Sequence, residues 1–487
     1  MARRLAAGVV ILGALIGLIM VALRSSPAGP ILGSVPIGSP QGYPQVVGVD
    51  SRTRHAFILD DGLTQRQVTL STGGGYSWSS SGALTNEVHV INTQTGRLVT
   101  TVSVPQTMQS LAVDEATGRV FAFDQGQIQL IDAQSGKLLT IAPLSGDAGG
   151  PTARVDAALA DGRSGHLFAT MALNNYSGLP APQHLLMFDG RTGHTLHDLT
   201  FPHGQGLVEH QPNGVTTTYY PPSLWPALDA RAGRLYVFNT NREVSVIDTA
   251  SGRLLSTRRL PVALANPVVD ARTGHIFALT MPRQQARSTT TTRPLPSSTL
   301  VMLDPRSGAM HPLITSIATV WPGTPPGTLN DIALDDATGH VVIVNTLHHT
   351  VDVIDATSGR LLQTTAMSGN PYQLALDARR HRALVGLIVS YSRVFATADA
   401  RLAVLDTRTG ALLRTIPLTH PCYPLAVDAG NGHAVTVYNA IDAGPPDRWG
   451  WMPAWLRARV PWLPPPPPAL NPNQRIMTNT ALTIDPS

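Results

Sequence analysis

The chain has 487 residues, with 43 glycines, 40 prolines, only 14% charged residues and a formal net charge of +4. The pI of about 9.4 comes from scattered arginines and not from a basic run, which argues against a nucleic-acid partner. The single cysteine, Cys422, excludes an internal disulfide framework and CxxC chemistry, and reads as a small buried residue at the start of an inner strand.

"MARR" opens the chain and is followed by "LAAGVVILGALIGLIMVAL", Leu5 to Leu23, with no charge before Arg24. As a helix this stretch reaches about 28 Å, close to the hydrocarbon thickness of a bilayer and longer than the core of a cleavable signal peptide. No A-x-A stands at its end, and Arg3 and Arg4 favour a cytoplasmic N-terminus. Residues 1–24 are therefore expected to form a signal anchor, a single transmembrane helix in the cell membrane with the rest of the chain extracytoplasmic. Cleavage would instead give a secreted protein. Residues 25–30 read as a tether.

Residues 31–487 repeat one pattern. "EVHVINTQTGRLVTTV", "QIQLIDAQSGKLLTIA", "EVSVIDTASGRLLSTR", "TVDVIDATSGRLLQTT" and "RLAVLDTRTGALLRTI" each read as strand, turn, strand, and "HLLMFDGRTGHTLHDL" and "TLVMLDPRSGAMHPLI" are looser copies. Apolar, mostly β-branched residues alternate up to an Asp or Asn. That side chain accepts backbone N–H bonds from the residues just ahead, and Gly takes the φ > 0 position that closes the turn. A second Asp-led hairpin precedes each of these, led by Asp50, Asp114, Asp161, Asp229, Asp270, Asp335, Asp377 and Asp428. Eight units of two hairpins make four strands, a to d, per unit. Repetition at roughly 40–50 residues with four strands each predicts an all-β chain, a β-propeller of four-stranded antiparallel blades, with eight blades favoured over seven. Asp229 to Asp270 spans a bare blade, and longer intervals carry insertions. The final unit has strands a, b and c but no d, while "ILGSVPIG", Ile31 to Gly38, is a spare strand before the first unit. The N-terminal strand is expected to complete the last blade and close the ring, since an open ring leaves an exposed edge.

"LYVFNTNREVSVIDTASGRLLST" and "HVVIVNTLHHTVDVIDATSGRLLQTTAMSGNPYQLALD" resemble the YVTN-repeat family of bacterial β-propellers over about residues 40 to 485. Tyr236, Val237 and Asn239 match the family's first strand, and Gly369, Pro371, Ala375 and Asp377 its last segment, with Gly369 one residue late. The resemblance implies the fold and an extracytoplasmic binding or surface role. It departs from the family in having eight units instead of the usual seven, and in its insertions.

Turns a–b and c–d are short throughout, and length is added only at b–c and d–a, as in residues 60–86 and in the Trp- and Pro-rich stretch at about 441–474. Alternating strand direction puts b–c and d–a on one side of the disc. One face is trimmed and the other elaborated, and rigid scaffolds carry binding residues on such loops; neutral drift on a tolerant face is the competing reading. Inner strands begin on the elaborated face, which makes Tyr43, Gln109, Arg154, Trp225, Asn266, Asn330, Tyr372 and Tyr423 the candidate binding residues, inter-blade packing being the structural alternative for the aromatics. "WGWMPAWLRARVPWL" suits a membrane interface, a partner groove or a cover over the channel mouth. No H-E-x-x-H, G-x-S-x-G or EF-hand loop is present, so no catalytic residue, metal site or cofactor is assigned. The pairs His348–His349 and His203/His210 carry only a weak metal signal. The sequence thus points to a membrane-tethered binding module for an unidentified protein, glycan or small ligand. A channel-centred enzyme of lactonase or lyase type and a structural cell-surface protein are the alternatives.

Overall fold

The computed structural model describes residues 31–37, 47–60, 63–70, 76–84, 87–104, 110–123, 126–144, 153–173, 182–202, 207–210, 216–219, 224–281, 297–318, 332–392, 397–418, 424–442 and 474–487. Every regular element among them is a strand, and none of their segments is a helix long and apolar enough to cross a membrane. The expected anchor and tether, residues 1–30, lie outside the described residues.

The strands form eight blades of four antiparallel strands. Blade 1 runs Val47–Asp50, His55–Asp60, Glu87–Asn92 and Arg97–Ser103 from axis to rim. Blade 6 (Ile332–Asp335, His340–Asn345, Thr350–Asp355, Leu361–Ala366) shows the bare unit. Innermost strands of successive blades are neighbours around the axis, and the inner strand of blade 8, Leu425–Val427, lies next to that of blade 1. The disc is therefore closed.

Closure uses the spare strand. Ile31–Ile37 pairs antiparallel with the C-terminal half of Gln474–Ile484, Ile31 opposite Ile484 and Ile37 opposite Asn479. The N-terminal part of that long strand, Gln474–Ile476, takes a different partner, Gln67–Thr69. These residues belong to the b–c insertion of blade 1, which folds as a hairpin of Leu63–Leu70 and Tyr76–Leu84. Pieces from both sides of the first inner strand thus clasp the last blade. A second insertion hairpin, Leu207–His210 with Thr216–Tyr219, stands between blades 3 and 4.

The core is a set of seams between blades and not one central mass. Phe121, Phe123, Ile128 and Leu130 of blade 2 meet Leu167, Met171, Leu186 and Phe188 of blade 3, with the Phe123 and Phe188 rings 5.9 Å apart at a 54° tilt. At the closing seam Ile37 and Val35 pack with Ala56, Ile58 and Ile91 of blade 1 and Val435, Val437 and Ala481 of blade 8. Each fully buried side chain of this size stabilises by about 1.5–3 kcal/mol.

Ile37 is only 1% exposed, so Ile37→Ala should cost about 2–5 kcal/mol, read from chemical denaturation. Deleting residues 31–37 should lower the melting temperature sharply or give aggregates, because it also bares the edge of Gln474–Ile484. Unchanged melting of the deletion would refute closure by this strand.

Candidate functional site

The two faces differ first in their turns. At the trimmed face Asp355 shows the repeated geometry. Its Oδ1 accepts the N–H groups of Thr357 (3.1 Å) and Ser358 (2.7 Å) and the Ser358 hydroxyl (2.6 Å), while Gly359 N–H bonds back to the Asp355 carbonyl at 2.8 Å with φ of 70°. The next layer is turn upon turn. Ala356 N–H donates to the carbonyl of Gly339, the glycine that closes the a–b turn of the same blade. In blades 1 and 7 the a–b turn has no glycine, and Arg54 (φ 59°) and His381 (φ 54°) hold the left-handed position instead, at a cost of about 1–2 kcal/mol each.

The sequence reading missed how these turns join neighbouring blades. Five histidines open strand b and donate Nδ1–H to a carbonyl in the next blade's c–d turn: His55 to Ala133, His166 to Thr249, His340 to Thr407 and His433 to Thr93, all at 2.8 Å, and His275 to Ala356 at 3.4 Å. A carbonyl only accepts, so the proton sits on Nδ1. The repeated "GH" after the turn glycine was the visible signal. Arginines extend the lacing: Arg163 reaches the carbonyls of Ala230 and Arg231, Arg272 the hydroxyl of Thr357, and Arg380 the carbonyls of Ala429 and Gly430. At the seam of blades 8 and 1 the Thr93 hydroxyl donates to Asp428, and Thr407 repeats this toward Asp335 at the seam of 6 and 7.

Charge on this face is layered. The eight aspartates that lead the a–b turns are 0–3% exposed. Near the hub, burial and the neighbouring Asp270, Asp335 and Asp229 hold the carboxyl of Asp336 above the usual carboxylate range. The c–d aspartates lie lower than usual: Asp248, Asp304, Asp355 and Asp485 through side-chain and backbone bonds from the serine three residues on, or two for Asp485, and Asp132 through the backbone N–H of Ser135.

The elaborated face is held differently. Among the described residues three inner strands carry a bulge near their elaborated ends: between Val155 and Ala157 in blade 3, Ala265 and Val268 in blade 5, and Pro371 and Gln373 in blade 7. Bulges re-aim side chains and recur beside functional sites. The residues displaced include Asp156, buried to 6% exposure, Asn266, left-handed at φ 50°, and Tyr372. The Tyr372 ring lies over Gly386, where a Cβ would meet it at 3.1 Å. Gln373, the next residue, accepts the Leu425 N–H of blade 8 at 2.9 Å.

Of the residues nominated by sequence, Asn266 and Tyr372 thus sit at two of these bulges. Trp225 is 5% exposed and packs with Phe238, Leu264 and Ile276 in the seam between blades 4 and 5. Arg154 is the second residue of Ala153–Asp161, opposite Ala172 and next to the first bulge. Tyr43, Gln109, Asn330 and Tyr423 lie outside the described residues, as do Cys422 and the tryptophans at 449–462. Asp156 was not nominated, because nothing local marks a bulge. His349 closes the b–c turn of blade 6 at φ 52° and its carbonyl accepts the Met367 N–H.

A cleft of about 290 Å³ opens at the b–c turn of blade 4, lined by Pro202, Thr240, Asn241, Arg242, Glu243 and Arg259. Glu243 is engaged by the Asn239 side chain at 3.0 Å, whereas the buried Thr240 hydroxyl has no partner. Two guanidinium groups, of Arg242 and Arg259, make this cleft cationic. Among the described residues no three His, Cys, Asp or Glu side chains gather as a metal site.

No protein-family model and no curated protein matches the chain. Solved structures do. Sqt1 of Saccharomyces cerevisiae superposes with a TM-score of 0.51 at 9% identity, over 84% of this chain and 96% of its own. BamB from Moraxella catarrhalis (TM-score 0.44, 13% identity, 83% and 96% covered) and the dihydro-heme d1 dehydrogenase NirN (0.45, 15%, 82% and 80%) are also similar. At these identities the likeness concerns the fold alone.

Asp335 is 0% exposed and takes the Thr407 hydroxyl across the seam, so Thr407→Val should cost about 1.5–3 kcal/mol, the worth of a bond to a buried charge. Thr357→Val, at an exposed turn position, should cost well under half of that. A second test concerns pH. Burial holds the Asp352 carboxyl above the usual range, opposed by the Thr364 hydroxyl bond at 2.6 Å. A raised carboxylate favours the folded state below its unfolded pKa of about 4 and loses that contribution as pH rises through the folded value. Asp352→Asn keeps an acceptor for Thr364 and removes the charge. It should raise the melting temperature at pH 7 and leave it nearly unchanged at pH 3.5, and a fall at pH 7 would contradict the assignment.

Proposed function

We propose that the chain is an extracytoplasmic binding module. In this reading it is a β-propeller of the YVTN-repeat type, tethered to the cell membrane by residues 1–24 and the linker 25–30. It holds a protein, glycan or small ligand on its b–c and d–a face.

The observation that carries the reading is the contrast between the faces. On the trimmed face the Asp-led turns spend their polar groups on their own backbone and on the next blade. On the opposite face three inner strands are bulged near the axis, the insertions emerge, and Arg242 and Arg259 stand exposed beside an unpartnered hydroxyl. Bulged inner strands on a rigid ring supply fixed positions around one mouth, which suits recognition. Asn266 and Tyr372 are neutral groups at two of these bulges, and Asp156 supplies a carboxylate at the third.

A photo-crosslinking residue placed at Leu347, in the b–c turn of blade 6, should capture a partner in intact cells. One placed at Thr357, in the c–d turn of the same blade, should not. Arg259→Ser should weaken the Leu347 adduct without changing the melting temperature. Adducts formed equally from Thr357 would assign recognition to the wrong face.

A further inference from the structure

Fourteen large apolar side chains are exposed among the described residues, and twelve of them fall on the first three residues of an outermost strand. Single exposed leucines need no explanation; their common level does. Strand d leaves the c–d turn, so this level is the rim of the disc at its trimmed face. Leu98, Leu139, Leu196, Leu255, Leu361 and Leu413 represent blades 1, 2, 3, 4, 6 and 7, with exposures from 39% to 53%. Ile31 and Leu32 continue the rim in blade 8.

Cations accompany them. Arg97, Lys137, Arg253 and Arg360 directly precede the exposed Leu98, Leu138, Leu254 and Leu361, all four are exposed, and none is in an ion pair within the described residues. Most carboxylates of this face are buried in the a–b turns or capped inside the c–d turns, and the exposed Glu115 and Asp336 sit in a–b turns near the hub. The outer edge therefore presents leucines and cationic groups, while Glu115 and Asp336 stand at the inner turns and Asp198 on strand d of blade 3 is paired with His184.

We infer that the trimmed rim is a membrane-docking surface, with the propeller lying flat on a bilayer that carries anionic headgroups. A ring of apolar residues spread over seven blades cannot be covered by a compact partner on one side, but a planar interface meets all of it at once. Leucines entering the acyl boundary beside cations at headgroup level is the usual chemistry of interfacial attachment. The chain supplies an independent argument. Ile31, the first residue of the closing strand, stands on this rim, and only residues 24–30 separate it from the apolar stretch Leu5–Leu23. An extended segment of that length spans about 25 Å at most. That second argument rests on the tether proposed above; the rim composition does not.

The test uses the full chain with Cys422→Ser, reconstituted in phosphatidylethanolamine–phosphatidylglycerol vesicles that contain nitroxide-labelled lipid. Single cysteines replace Leu139, Leu255, Leu413 or Leu347 and carry a fluorophore. Blade 4, with Leu255, lies across the ring from blade 8, and Leu347 is on the elaborated face. Docking predicts comparable loss of fluorescence at Leu139, Leu255 and Leu413, and little at Leu347. Quenching at Leu413 without quenching at Leu255 would mean a tethered disc that does not lie on the bilayer, and would overturn the inference. Alkaline extraction separates the two readings: release of the protein with all three rim labels quenched at neutral pH sustains docking and removes the anchor, whereas retention without rim quenching does the reverse.

Discussion

The structure depends on how eight buried carboxylates are satisfied. Each inner strand ends in an aspartate that is almost wholly out of water, Asp335 and Asp428 among them. An ionised carboxylate in that position costs several kcal/mol unless its oxygens are bonded. The chain behind it is therefore confined to a turn that offers its own N–H and hydroxyl groups, and at Asp335 and Asp428 a hydroxyl of the neighbouring blade completes the shell. Asp335 takes the N–H groups of Ala337 and Thr338 from its own turn and the hydroxyl of Thr407 from the next blade. Local turn chemistry repeats around the ring, and at the seams of blades 6 and 7 and of blades 8 and 1 it is joined to blade-to-blade spacing.

That requirement explains which parts were legible in the sequence. A turn fixed by Asp, Ser or Thr and Gly must be spelled out in every blade, so the blade count, the strand order and the closing strand could all be read. Relations that cross a seam are spelled on one side only, as in the repeated "GH". The bond from His340 to Thr407 links residues far apart in sequence, and nothing in the neighbouring residues marks the bulges at Asp156, Asn266 and Tyr372. Trp225 marks the limit of composition: an aromatic at the start of an inner strand serves a lip or a seam equally well, and here packing with Phe238 and Leu264 places it in the seam. The hairpin of Leu63–Leu70 and Tyr76–Leu84 escaped for another reason, since a Ser- and Gly-rich insertion carries little strand propensity of its own and here extends an existing sheet edge.

Electrostatics follow the same layering. Carboxylates in the c–d turns are stabilised in their charged form by short local bonds, so their contribution is present above about pH 4 and is lost as pH falls through their lowered values. Asp336 and Asp352 behave oppositely, because burial, with like charges in the first case, disfavours their ionised state. The cationic groups face outward, where their charge is screened and cheap.

A ring laced in this way divides its two faces by the freedom each has to change. Lengthening an a–b turn would withdraw N–H groups from a buried carboxylate, and lengthening a c–d turn would move the carbonyl that the neighbouring blade's histidine reaches, so insertions at this face are costly. A loop between strands b and c, or between d and the following a, carries no such bond, and the entropic cost of lengthening it rises only slowly with length. In blade 1 such an insertion became a hairpin that helps hold the last blade shut. In blade 4 the unlengthened turn Thr240–Glu243 remains as a cationic cleft. Variation is thereby channelled to the side where inner strands are already bulged, and the face that cannot vary is left with an outer edge of leucines and arginines. A scaffold whose stability lies on one side is free to elaborate a recognition surface on the other.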